Sequence, residues 1–151
     1  MDEPTQRLPA QARAYWRASG AIYGGLLIVG SMAFAGPLGG VAWLAFAAAV
    51  LAAVVMVVVA PSLRWRRWRY EVRAEEIDLQ HGTFVVRRTL IPIRRVQHVD
   101  TESGPLQSSF GLATVTFHTA AGGVGIPALL RDEADLVRAR VAELARTRDD
   151  S

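Results

Sequence analysis

The chain has 151 residues, 51% of them hydrophobic, with no cysteine and a formal net charge of +3. This length holds one ordinary domain, or a small domain plus an anchor. The apolar content excludes an intrinsically disordered chain, and the missing sulfur excludes a disulfide-stapled or cysteine-ligated metal domain.

Residues 1–17 form a basic N-terminal segment carrying Arg7, Arg13 and Arg17. From Ala18 to Leu63 there are 46 residues without a charge, which excludes a plain cytosolic enzyme. A membrane-crossing helix needs about 20 apolar residues. The run therefore predicts a hairpin over 18–60, with spans at about 18–36 and 41–60 and a turn at Gly36-Pro37-Leu38-Gly39-Gly40. Pro61 is expected to end the second span. That span holds ten Leu, Ile, Val or Phe residues, each favouring insertion by roughly 0.3–0.6 kcal/mol. The first holds six and is diluted by Gly20, Gly24, Gly25 and Gly30.

Small residues recur at helical spacing. Gly20 and Gly24 form G-x-x-x-G, with Ser31 and Ala35 on a nearby face, and Ala45, Ala49 and Ala53 repeat every four residues. Such faces let helices approach closely in lipid, although an alanine-rich composition gives the same pattern. Arginines flank both ends of the hairpin and are absent from its loop, which predicts an inner-membrane protein with both termini cytoplasmic. The rival is a signal peptide cleaved after Ala33-Phe34-Ala35, which leaves almost no exterior domain.

Residues 61–68 read as a basic, aromatic juxtamembrane linker. Trp16, Arg17, Arg64, Trp65, Arg66, Arg67, Trp68 and Arg69 are the candidate membrane-interface set. They serve as a stop-transfer flank, and near anionic lipid each arginine adds about 1 kcal/mol of attraction.

Period-two alternation then predicts strands over 69–146, with 147–151 as a tail. Trp68 to Arg73 and Ile77 to Gln80 are the first two. His81-Gly82 leads to a third over Thr83 to Arg88, and Pro92 belongs at a strand start or edge. Ile93 to Thr101 is a fourth candidate. Gly104-Pro105 turns the chain, Leu112 to Thr119 alternates well, and a hairpin leads to Val124–Ile126. Leu130, Ala134, Val137, Val141 and Leu144 then make one face of an amphipathic helix. A membrane α-helical hairpin followed by an α+β domain is the predicted fold class.

Several motifs resemble one family. They are Ile91-Pro92-Ile93-Arg94-Arg95-Val96-Gln97, Gly104-Pro105-Leu106-Gln107 and Phe110-Gly111-Leu112-Ala113. The stretch from about 15 to 146 is similar to the bacterial pleckstrin-homology-like (YdbS-like) membrane proteins. The resemblance implies two spans and then a PH-like small antiparallel β-barrel or sandwich of seven strands, capped by a C-terminal α-helix. It also implies an interaction or oligomerisation module, whose partner is a larger membrane protein with several copies of the domain or the chain itself. Ser108-Ser109 departs from the basic residue common in relatives, which puts an anion-contacting role for that turn in doubt.

No catalytic or cofactor signature is present. His98-x-Asp100 lacks a third ligand at a characteristic spacing and reads as a solvated strand face. Gly122-Gly123-x-Gly125 lacks the phosphate-loop pattern. The basic residues Arg87, Arg88, Arg94 and Arg95 are the candidate patch for an anion or an acidic partner. All 17 basic residues are arginine, and their excess is local to the ends of the apolar run, so no nucleic-acid partner is inferred. The reading is a non-catalytic, membrane-anchored interaction module. The alternative is recognition of an anionic phospholipid headgroup.

Overall fold

The computed structural model describes residues 2–150, and the side chains of these except 35–38. Ala35 of the predicted small-residue face lies outside the described side chains. Helix α1 (Ala10–Leu38) begins well before the charge-free run, and the connection to α2 (Gly40–Arg67) is Gly39 alone. Gly39 has φ of 66°, a conformation that glycine adopts without a Cβ penalty. The predicted five-residue turn is thus compressed to one residue.

Pro61 does not end α2. The helix runs on to Arg67, and residues Val55–Val59 just before the proline are π-helical. Proline has no N–H to donate, and its ring crowds the carbonyl four residues back, here that of Val57. A widened turn at that carbonyl absorbs the conflict without breaking the helix. The expected linker 61–68 is therefore mostly the last turns of α2.

Both helices are long and apolar enough to cross a membrane. Their outward faces expose Leu26, Phe34, Trp43, Leu44 and Leu51. Their inward faces meet closely. A Cβ at Gly20 would lie 2.5 Å from the Met56 carbonyl oxygen, and one at Gly24 would lie 3.0 Å from the Ala53 Cβ. The G-x-x-x-G face is thus the seam of the hairpin. On α2 the buried small residues are Ala42, Ala49 and Ala53, whereas Ala45 is exposed. A strict four-residue repeat drifts about 40° per step around a 3.6-residue helix, which turns Ala45 away from the seam.

Beyond the helices the chain forms two antiparallel sheets. The first has the order β1 (Gln6–Arg7), β2 (Arg69–Val72), β3 (Glu76–His81), β4 (Arg87–Pro92). The second has the order β5 (His98–Glu102), β6 (Leu112–Thr119), β7 (Gly122–Leu130). No described strand of one sheet pairs with the other, so the two sheets are not closed on each other. The short helix α3 (Pro105–Ser109) and the long α4 (Arg131–Asp149) complete the fold.

Three local predictions change. Thr83–Val86 is a connection and not strand, because the β3–β4 register pairs His81 with Arg87 and leaves the five residues between them outside the ladder. Gly82 has φ of 143°, and a Cβ there would collide with the Val85 carbonyl oxygen. Ile93–Arg95 is a 3-10 turn and not strand, since fully buried Ile93 anchors the crossing between the sheets. Gly104-Pro105 opens α3, where Gln107 accepts a hydrogen bond from the Gly104 N–H at 3.0 Å.

The N-terminal segment does not stand apart. Gln6 and Arg7 pair with Tyr70 and Arg69, and Leu8, Ala12 and Trp16 lie in the core with Ile77, Leu79, Val115 and Phe117. The α4 face falls as its spacing predicts: Ala134 and Val141 are buried, and Val137 and Leu144 pack against the core. Asp132 and Glu133 occupy its first turn and Arg146 and Arg148 its last, as the helix dipole favours.

Candidate functional site

The juxtamembrane aromatics face inward. Trp16 and Trp68 are 7% and 4% exposed. The Trp65 indole N–H donates to the carbonyls of Leu8 (3.1 Å) and Pro9 (3.0 Å). Arg64 sits over the Trp16 ring at 4.2 Å and Arg13 over Trp65 at 5.2 Å, both within cation–π range. These tryptophans join the helices to the domain. Arg17 reaches Ser62 Oγ at 3.4 Å, and Arg67 donates to the Phe84 carbonyl at 3.0 Å. Arg66 is exposed and Arg69 half-buried.

Arg67 thereby ties the end of α2 to the β3–β4 connection. Phe84, Val85 and Val86 at that connection are 73%, 72% and 47% exposed. Sequence alternation made these residues a strand and missed them as an exposed apolar tip beside the membrane helix.

The four arginines of the candidate patch do not converge. Arg88 grips Asp78, whose side chain is completely buried, with Nε 3.0 Å from Oδ1 and Nη2 2.5 Å from Oδ2. Arg73 Nη2 lies 3.3 Å from the same carboxylate, and both arginines also donate to the Asp2 carbonyl. The Asp78 hydrogen bonds raise the Arg88 pKa above its ordinary value. Arg88 is a structural group that satisfies a buried charge. Arg87, one residue earlier, is exposed beside His81 and helps to lower that imidazole's pKa, behind the larger effect of burial. Arg94 lines a polar cleft with Glu75, Glu76 and Arg148, and Arg94 and Arg95 together border a second cleft near Thr119–Ala121. The Ser108 hydroxyl accepts from Arg131 at 3.0 Å and contacts Ser103 Oγ at 2.9 Å, so the serine turn is held within the protein.

Two other arrangements carry chemistry. The first is a groove of about 510 Å³ between β5 and α4. Val96, Val99, Val141, Ala142 and Ala145 supply apolar surface, and Arg138, Arg146 and Asp149 supply charge. Among the described residues β5 is the edge of its sheet and pairs with β6 only, so its other side offers unpaired backbone groups. The second is on the outer face of the same strands. The register sets His98 opposite His118 and Asp100 opposite Thr116. The His98 and His118 rings stack at 4.3 Å with planes 10° apart. Their Nε2 atoms lie 3.7 and 3.0 Å from Asp100 Oδ2. The third member, His118, was not visible as a partner of His98-x-Asp100, because it lies on β6 and only strand pairing brings it there.

Residues 25–145 match the family model described as "Bacterial PH domain". The chain is 50% identical over 101 residues to "UPF0699 transmembrane protein YdbS" of Bacillus subtilis (strain 168), covering 67% of this chain and 64% of that protein. It is 33% identical over 76 residues to "UPF0699 transmembrane protein YdbT" of the same organism, covering 50% of this chain and 15% of that protein. The chain thus spans less than two thirds of either relative's length. No solved structure matches it.

Proposed function

The chain belongs to the YdbS-like bacterial PH domain family of membrane proteins, and from that premise we propose that it is a non-catalytic interaction module. The hairpin anchors a PH-like sandwich, with both termini on the cytoplasmic face of the inner membrane. The arginines flanking the hairpin support that orientation. The groove between β5 and α4 receives an extended segment of a partner protein. The observation that carries this reading is the unpaired edge of β5 beside an apolar floor. Addition of a strand at such an edge supplies main-chain hydrogen bonds, and the flanking apolar surface selects side chains. The partner is a membrane protein with PH-like domains or a second copy of this chain. Confinement to one membrane raises the effective concentration, so a groove of this size suffices.

A photo-crosslinking residue at Ala145, compared with one at exposed Glu143, tests the reading in native membranes. The expected result is a discrete protein adduct from Ala145 that disappears when Ala142→Trp fills the groove. Equal adducts from both positions, or adducts to lipid alone, overturn it.

The anionic-lipid reading rests on one observation of its own. The exposed Phe84–Val86 tip is held to the end of α2 by Arg67, with Arg66 and Arg87 exposed nearby in sequence. Apolar residues among arginines suit the headgroup boundary of an anionic membrane. In nanodiscs, a polarity-sensitive probe at Val85 should shift to the blue with anionic lipid. An unchanged emission removes this reading.

A further inference from the structure

We propose that His98, Asp100 and His118 form a binding site for a divalent transition-metal ion of the zinc type, on the outer face of the second sheet. Side chains two apart on a strand share a face, and directly paired residues of neighbouring strands project together. The β5–β6 register therefore converges these three groups without any loop. One ligand atom from each lies within 4.8 Å of the others.

The metal's own geometry is the standard for judging this cluster. Zinc sits about 2.0–2.1 Å from imidazole nitrogen and about 2.0–2.2 Å from carboxylate oxygen, with tetrahedral angles. Ligand atoms on such a sphere are about 3.3–3.4 Å apart. The observed Nε2–Oδ2 separations of 3.0 and 3.7 Å fall on either side of that value. Binding requires the two imidazoles, now stacked with planes 10° apart, to rotate out of parallel so that their Nε2 lone pairs converge on the ion. Exposure of the side chains, 60% for His98, 49% for Asp100 and 34% for His118, leaves them free to make those rotations. β7 also leaves room: the residue paired with His118 is Gly123, where a Cβ would lie 3.3 Å from His118 Nδ1.

The ligand types select the metal class. Two imidazoles and one carboxylate suit zinc and its neighbours, whereas calcium and magnesium favour all-oxygen sites. Three protein ligands leave a fourth position open to water. The site shares one residue with the groove. His98 borders the groove, but Asp100 and His118 do not line it.

The test is zinc titration of the full chain in detergent, without a polyhistidine tag, by calorimetry and by competition with a chromogenic chelator. The expected result is one zinc per chain. His98→Ala and His118→Ala should each weaken binding by at least about tenfold, since even outer-sphere losses cost 10- to 100-fold. His81→Ala, a change to the remaining histidine, should leave binding unchanged. Cobalt in place of zinc should give visible absorption that the same two variants lose. Near-ultraviolet circular dichroism verifies that these surface variants keep the fold. Saturable binding that is absent from the native chain, or that survives both substitutions, overturns the proposal.

Discussion

Leu8→Ala tests whether the residues before the first span belong to the domain. Leu8 is 2% exposed and lies in the core with Ala12 and Trp16. Its carbonyl also accepts the Trp65 indole N–H, a bond that the substitution leaves in place. Removing a buried leucine side chain costs about 2–5 kcal/mol, from lost transfer and from the cavity left behind. For a chain of this length each kcal/mol moves the midpoint by roughly 2–4 °C, so a fall of roughly 4–20 °C is expected. Gln6→Ala is the control, because Gln6 is exposed on β1, two residues before Leu8, and surface changes stay within about 0.5 kcal/mol. Thermal unfolding in nanodiscs, followed by tryptophan emission, reads both variants. If Leu8→Ala melts with Gln6→Ala, the N-terminal segment is an appendage and the core assignment is wrong.

Gly20→Val should lower the melting temperature and separate the helices, since its Cβ meets the Met56 carbonyl at 2.5 Å; Gly25→Val, whose Cβ meets nothing within 4 Å, should not. Burial, then Arg87 and Arg64, lower the His81 pKa in the fold. The unfolded chain therefore takes up the proton first, and stability should fall as pH drops below about 6.5. His81→Gln should flatten that part of a melting-temperature profile. Tyr70 is pushed up to about 12, first by burial and then by Glu133. Its contribution is complete below about pH 10 and fades as pH rises toward 12, which Tyr70→Phe should remove from an alkaline denaturation curve. Asp78→Ala leaves Arg88 and Arg73 facing each other without their shared carboxylate. It should lower the melting temperature much more than Asp135→Ala on the exposed face of α4, and equal effects would contradict a structural role for the pair.

Patterns that repeat along the chain were legible from the residues alone. A charge-free run long enough for two spans, the alternation of Leu112–Thr119 and the four-three spacing of α4 each state a local period, and each period follows from the geometry of one element. The G-x-x-x-G seam was legible for the same reason, since Gly20 and Gly24 are one helical turn apart. The motifs around Ile91–Gln97 and Phe110–Ala113 also pointed to the family that the comparisons show.

Only the tertiary structure decided what depends on distant pairing. A strand of two residues, Gln6–Arg7, has no period to detect and exists because β2 lies beside it. Tryptophan beside arginine reads as a membrane belt, and only the fold shows the Trp65 indole N–H bonded to the carbonyls of Leu8 and Pro9. Arg87 and Arg88 look equivalent in sequence, yet strand alternation gives one to solvent and the other to Asp78. His98 and Asp100 stood two residues apart from the outset; their third member came from a strand 20 residues away, because register, unlike periodicity, is fixed by the core that both strands cover.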